Sequence, residues 1–345
     1  LWTVVLGVCA CQSPFPETLA SQSTERLGDV VSQMPTCVWY ILHDSKNRYW
    51  LGTSNEGVYL LENRTITRYT TLDGLAHNSI GGIQEDSKGN ILIETRGGIS
   101  LWNGQAFRTL ESETPFDPMN GWYMNPKDMW FRGQGGPLRY DGDHLYQLTL
   151  PYTYVENDPS KQGYPEHLKP NDLYTIYKDN ANCVWFGTAD VGLCRFDGQR
   201  IAWLYEDSLT YTPAGGAFGI RSILQDSSGK FWICNTRQQF EITGIRDTLE
   251  TNVLTYSKSN GIIADNHPDK LYIMSMLYDQ QGTLWMGTYN QGVWSWDGQQ
   301  LKWIQLPQGV TMFSIYEDRK GRLLLGTHEA GVLMIEEDQV VAFRY

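Results

Sequence analysis

Short apolar runs separated by turn-forming residues recur along the chain, and the same order of strand and turn returns each time. An apolar strand such as Leu173 to Lys178 or Ile220 to Gln225 leads into an Asp-x-x-Gly turn. There the aspartate bonds its own backbone and the glycine takes a positive φ. A second strand ends in Gly-Thr, and a short loop leads to Gly57, Gly98, Gly136, Gly192, Gly292 or Gly331. A third strand follows, as at Val293 to Trp296, and Asp-Gly turns at Asp141-Gly142, Asp197-Gly198 and Asp297-Gly298 introduce a fourth. The unit reads strand, turn, strand, loop, strand, turn, strand.

Copies start at Asp44, Asp86, Met124, Asp179, Asp226, Asp279 and Asp318, with Met124 taking the aspartate position in a degenerate third copy. Six residues after each start stands Trp50, Leu92, Trp130, Trp185, Trp232, Trp285 or Leu324. The starts are 38 to 55 residues apart, averaging about 46, the period of four-stranded propeller blades. Helical repeats need long stretches of period 3.6, which the chain lacks. The prediction is an all-β fold, a seven-bladed β-propeller of four-stranded antiparallel blades over residues 36–345. The residue at offset six is expected to pack between neighbouring blades. Length alone, 345 residues, suggests two or three domains; the repeat resolves it as one ring.

Charge narrows the partners. With 27 basic and 39 acidic residues the net charge is −12, and no basic stripe offers the footprint that a phosphate backbone requires, so nucleic acid is excluded as a partner. Residues 1–11 are an apolar run too short to span a bilayer, in keeping with an export signal. Within it Val8-Cys9-Ala10-Cys11 looks like a bacterial lipobox, which makes Cys11 the expected lipidation site. Residues 12–35, with Ser, Gln, Thr and Pro, are expected to link that anchor to the ring. The expected location is the bacterial periplasm or cell surface, lipid-anchored to a membrane. Cys37, Cys183, Cys194 and Cys234 show no zinc spacing and read as small core residues. A Cys183–Cys194 bridge stays open, although the strand register does not place the two opposite each other.

The phrase running from Asp279 through Trp285, Gly287 and Thr288 to Val293, and its counterpart from Asp44 to Val58, resembles the two-component regulator propeller repeat. Asp73-Gly74-Leu75 to Ile80 and Asn260-Gly261 to Asn266 resemble that family's approach to the inner strand. The resemblance covers nearly the whole ring. It implies a periplasmic sensor region of the kind found in bacterial hybrid two-component systems, often those controlling polysaccharide use. The chain carries no kinase motif, so signalling is expected through a separate partner.

The family topology implies that the loops joining second to third strands share one face with the entries to the inner strands. The first set offers Asn55, Glu56, Arg96, Gln134, Asp190, Arg237, Asn290, His328 and Glu329. The second offers His77, Trp122, Asp172, Arg221, His267 and Asp269. Amides, arginines, carboxylates and aromatics in one ring suit a sugar through bidentate hydrogen bonds and ring stacking. Taken singly, most of them are ordinary solvated loop residues. Two longer segments, 151–170 and 207–219, are rich in Tyr, Pro and Gly and are expected on the same face.

The expected function is a non-catalytic ligand-recognition or sensor module for glycans or other small molecules. A periplasmic lyase or hydrolase working at the channel mouth, and a protein-interaction scaffold bound to a signalling or surface protein, are the alternatives. Glu56, Asp190 and Glu329 could supply a carboxylate pair, but the separation that hydrolysis requires is not written in the sequence. His77, His267 or His328 could serve a lyase as general base. No cofactor or metal is expected: the six histidines form no HExxH, and the Asp-x-x-Gly turns fall short of the six to eight oxygens calcium takes.

Overall fold

The computed structural model describes residues 27–116, 122–151, 172–206, 209, 218–248, 251–262 and 273–345. Cys11, His267 and Asp269, and nearly all of the two long loop segments, lie outside them. Apart from the short 3-10 turn Thr71–Asp73 and the helical residue Leu209, the regular structure of the described residues is β, and their sheets make seven four-stranded blade units. None of their helices is long and apolar enough to cross a membrane.

Each blade is held at its turn end by the repeated aspartate. In blade 4 one oxygen of Asp179 accepts the Ala181 and Cys183 N–H groups, both at 2.9 Å, which fixes the turn. The other accepts the Trp185 indole N–H at 2.9 Å. The offset of six therefore serves more than packing: Trp185 is fully buried, and an unpaired indole N–H there would cost about 1–3 kcal/mol. Asp44 with Trp50 and Asp279 with Trp285 repeat the bond at 2.9 and 2.8 Å. Where leucine replaces tryptophan, the second oxygen turns to Asn90 in blade 2 and to Tyr49 and Arg322 in blade 7. In blade 5 Trp232 donates to the Tyr278 hydroxyl instead.

The Gly-Thr at the other end of the second strand has an equally local cause. The Thr188 hydroxyl donates to Gly192 O at 2.6 Å and accepts the Val191 N–H at 3.0 Å, closing a tight loop in which Gly192 has φ +85°. Thr53, Thr288 and Thr327 close theirs in the same way. The preceding glycine is required by close approach. A Cβ on Gly187 would lie 2.6 Å from both Cγ2 and the carbonyl oxygen of Ile220, at the entry to the next blade.

Blades 1 and 7 are each built from consecutive strands, so the ring closes by packing and not by strand exchange. Val38 N–H bonds Thr327 O, Tyr49 OH donates to Asp318, and Val38, Ile41, Tyr49, Leu324 and Val332 share one buried cluster. Asp29–Val31, inside the stretch expected as linker, adds a fifth strand to blade 1 by pairing antiparallel with Thr65–Tyr69. Blade 5 carries a long hairpin, Asn235–Asp247 with Asn252–Asn260, whose second strand runs parallel to Ile201–Leu204 and joins blades 4 and 5 edge to edge. Cys37, Cys183, Cys194 and Cys234 are free thiols, and Cys194 sits opposite Phe186.

Blade 3 departs from the uniform unit expected for it. Its three antiparallel strands, Met129–Gly133, Gly136–Tyr140 and Leu145–Leu148, correspond to the second, third and fourth strands elsewhere. The preceding strand, Ser112–Phe116, lies on the outer edge, parallel to Leu145–Leu148. Among the described residues no strand covers Met129–Gly133 on the channel side. Met124 does not act as the turn residue. Asp128 binds Arg139 at 2.8 Å, as Asp179 binds Arg195, and the Trp130 indole N–H is left without an acceptor.

Candidate functional site

The inner strands surround a cavity of about 1610 Å³ along the ring axis. At blade 3, where no inner strand is found among the described residues, side chains from both neighbours bond the exposed edge. Gln84 Nε2 donates to Trp130 O at 2.9 Å, Arg132 N–H donates to Glu94 Oε2 at 2.9 Å, and Lys178 Nζ reaches Asp128 O at 3.1 Å. With the edge satisfied, the gap persists as open volume.

Arg132 occupies this gap. Its Nε donates to Glu94 Oε1 at 2.7 Å, and its two other nitrogens donate to the Tyr40 hydroxyl at 2.8 Å, Tyr174 O at 3.3 Å and Gly81 O. Burial opposes the guanidinium charge, but Glu94 and Tyr40 outweigh it and its pKa is raised. Burial also pushes the Tyr40 phenol up, with Arg132 opposing. Arg132 and Glu94 stand where the repeat has glycine, as at Gly52, Gly187, Gly287 and Gly326. Among the described residues no inner strand of blade 3 presses on the Glu94 position.

Arg221 also lines the cavity, 4.4 Å from the ring centre of Tyr174 and 5.0 Å from that of Phe218, with Nε donating to Phe218 O at 2.9 Å. Burial lowers its pKa, and the nearby Arg132 charge adds to that. Lys178 is shifted down for the same first reason. At the mouth between blades 7 and 1, Trp39 stacks on Phe313 at 4.7 Å with planes 6° apart. The His328 ring meets both edge-on, and Trp39 Nε1 donates to His328 Nδ1 at 3.4 Å, so the neutral ring carries its proton on Nε2.

The sequence-predicted residues divide into three groups. Arg96, Gln134, Asp172 and Arg221 all line the cavity, with Gln134 Nε2 donating to Arg96 O at 3.1 Å. The second group sits in the loops after the second strands or at the inner-strand entries, outside the cavity lining. His328 joins the aromatic cluster; Glu329 accepts from Thr311 N–H and Oγ1 at 2.7 and 2.8 Å. Burial slightly opposes the Glu329 charge, but these bonds outweigh it and hold the carboxyl below its usual range. Glu56 accepts from Tyr59 OH, His77 Nδ1 accepts the Ser79 N–H, Asn55, Asn290 and Arg237 are exposed, and Asp190 is buried.

Trp122 is the exception. Its N–H donates to Gly198 O in the hairpin turn of blade 4, and its ring packs on Trp130, Tyr146 and Phe196, so it belongs to the opposite, turn-bearing face. It had been placed at an inner-strand entry, and blade 3 has no such strand among the described residues. Arg132, Glu94, Tyr40, Tyr174, Trp39 and Phe313 were not anticipated. For the first two a signal existed: adjacent repeats replace the expected glycine with residues of opposite charge.

Residues 267–290 match the family model described as two component regulator propeller. No curated protein sequence matches the chain. Among solved structures, the extracellular domains of the hybrid two-component systems BT3049 and BT4673 of B. thetaiotaomicron are 18% and 17% identical, with TM-scores of 0.57 and 0.56. The alignments cover 86% and 88% of this chain and 39% of each of those, so the chain spans about two fifths of the length of these structures. Virginiamycin B lyase from Staphylococcus aureus is 13% identical with a TM-score of 0.59, over 86% of this chain and 94% of that one. These likenesses establish the propeller fold. The matched segment contains the turn, strand and Gly-Thr of blade 6, a pattern that the other blades vary, and in that segment the chain is similar to the two-component regulator propeller repeat.

Proposed function

We propose that the chain is an exported sensor module that recognises a glycan at the mouth and wall of its central channel and passes the signal to a separate partner. The observation that carries this reading is the juxtaposition at one opening of a flat aromatic platform, Trp39 on Phe313, with hydrogen-bonding groups from Arg96, Gln134, Asp172 and Arg221. Sugar rings present an apolar face and a polar rim, and binding pockets for such ligands combine these two surfaces. Membrane attachment through Cys11 belongs to the same reading. The extracellular placement of the similar two-component domains supports export.

The carboxylates of the mouth serve its architecture. Glu56 is held by Tyr59, Glu329 by Thr311, and Asp190 is buried within its loop. This favours recognition over acid–base chemistry. A panel of oligosaccharides titrated against the full chain by calorimetry tests the reading. Saturable binding that is lost in Trp39→Ala and weakened in Arg96→Ala is expected. Absence of binding across neutral, acidic and amino sugars would refute it, and a protein partner would then be sought. Cys11→Ser should move the protein out of the membrane fraction; unchanged partitioning rejects Cys11 as the anchor.

A further inference from the structure

The chain is acidic, yet the charge left unmatched in its channel is positive. The cavity wall carries Arg96, Arg132, Lys178 and Arg221 against Glu94, Asp128 and Asp172. Glu94 is taken by Arg132 at 2.7 Å and Asp128 by Arg139 at 2.8 Å. Lys178 is anchored on the carbonyls of Pro126 and Asp128. Arg221 differs from Arg132 and Lys178. Among the described residues only its Nε has a protein acceptor, and its guanidinium makes no ion pair.

Arg221 is also fixed in place. Its plane is lodged against two aromatic rings, Tyr174 and Phe218, and the Phe218 carbonyl holds Nε, so the two Nη groups are the donors left over. A guanidinium held this way is a preorganised fork, and a carboxylate is the planar acceptor that fits it with two parallel hydrogen bonds. Two cations, Arg132 and Arg221, line one cavity, and Glu94 neutralises one of them. An incoming anion removes that imbalance, and partial exclusion of water strengthens the attraction.

We propose that Arg221 forms an anion subsite in the channel wall that takes the carboxylate of an acidic sugar, so that the ligand is a uronic-acid-containing oligosaccharide and not a neutral one. The proposal rests on the glycan reading above and makes it more specific. The cavity is large enough for several sugar rings, with the aromatic platform of Trp39 and Phe313 left for the apolar face of a neighbouring ring.

The test titrates the full chain by calorimetry with trigalacturonate, its neutral counterpart galactotriose, a sulfated disaccharide and malonate, in low salt and in 0.5 M NaCl. Trigalacturonate is expected to bind at least tenfold more tightly than galactotriose, with the preference shrinking in high salt. Arg221→Gln should remove the preference by weakening only the acidic ligand, and Arg221→Lys should restore part of it. Unchanged thermal melting of both variants shows that the fold is intact. Equal affinity for the charged and neutral trisaccharides, or a preference that survives Arg221→Gln, overturns the subsite and leaves the glycan reading standing. Malonate binding that depends on Arg221 without any saccharide binding keeps the subsite and overturns the glycan reading. A sulfated disaccharide that outcompetes trigalacturonate overturns the assignment to carboxylate.

Discussion

Replacing Arg132 by methionine tests whether the gap in blade 3 is held open by the charge pair that fills it. The substitution keeps most of the apolar stem and removes the guanidinium, which donates to Glu94, Tyr40, Tyr174 O and Gly81 O. Glu94, 8% exposed, would keep only the N–H of residue 132 as a partner. Removing one member of a buried ion pair costs about 3–5 kcal/mol, mostly because the other charge is stranded. The Arg132 side chain is 25% exposed, so solvent offsets part of this and the expected loss is about 3 kcal/mol. In a chain of this size that is a fall in Tm of about 5 °C. The double variant Arg132→Met with Glu94→Gln strands no charge and should lose only about 1–2 kcal/mol. Urea unfolding of the wild type, both single variants and the double variant yields the coupling energy of the pair, expected to be about 1–2 kcal/mol plus the cost of Glu94→Gln alone. A cost below about 1 kcal/mol for Arg132→Met, or a double variant as unstable as the sum of the singles, would refute the argument.

Three further outcomes follow from the blade architecture. Asp179→Ala orphans the buried Trp185 indole N–H and unpairs Arg195, and should cost about 3 kcal/mol; Asp86→Ala, in a repeat with Leu92 in place of tryptophan, should cost about half as much by the same urea assay. Gly187→Ala would press a methyl against the backbone of Ile220 and should lose about 2–3 kcal/mol, whereas Gly287→Ala meets only the flexible tip of Met312 and should lose about 1 kcal/mol. Burial alone would raise the Asp318 carboxyl, but the Arg322 N–H, the Tyr49 hydroxyl and the Arg322 guanidinium outweigh it and hold it below its usual range. Its stabilising contribution is therefore complete above the ordinary carboxylate value of about 3.9 and is lost as pH falls through the lower folded value. The stability gap between wild type and Asp318→Asn, measured in urea from pH 6 to pH 2.5, should stay constant down to about pH 4 and then close.

Much of the ring was legible because its signals are local. Asp44, Asp179 and Asp279 fix turns that span five residues, and Thr53, Thr188 and Thr327 close loops within four, so each copy announces itself without knowledge of its neighbours. What escaped depends on which edge a strand chooses. Ser112–Phe116 is a short strand with nothing in its composition to say whether it lies inside or outside blade 3, and Trp122 was misplaced for that reason. Arg132 and Glu94 lie 38 residues apart, and their contact is a meeting of two repeats that neither repeat announces on its own. Arg96, Gln134, Asp172 and Arg221 line the cavity, as expected from a topology that puts loop ends and inner-strand entries on one face.

The lack of an inner strand in blade 3 among the described residues also decides what kind of object the channel is. A ring of seven alike blades would present a small ligand with seven alike poses, and no amount of affinity would tell it which way round to sit. Opening one wall breaks that rotational degeneracy. The channel acquires a front and a back, with Arg132 and Glu94 on one side and Arg221 on another. A pseudo-symmetric scaffold thereby presents an asymmetric inner surface.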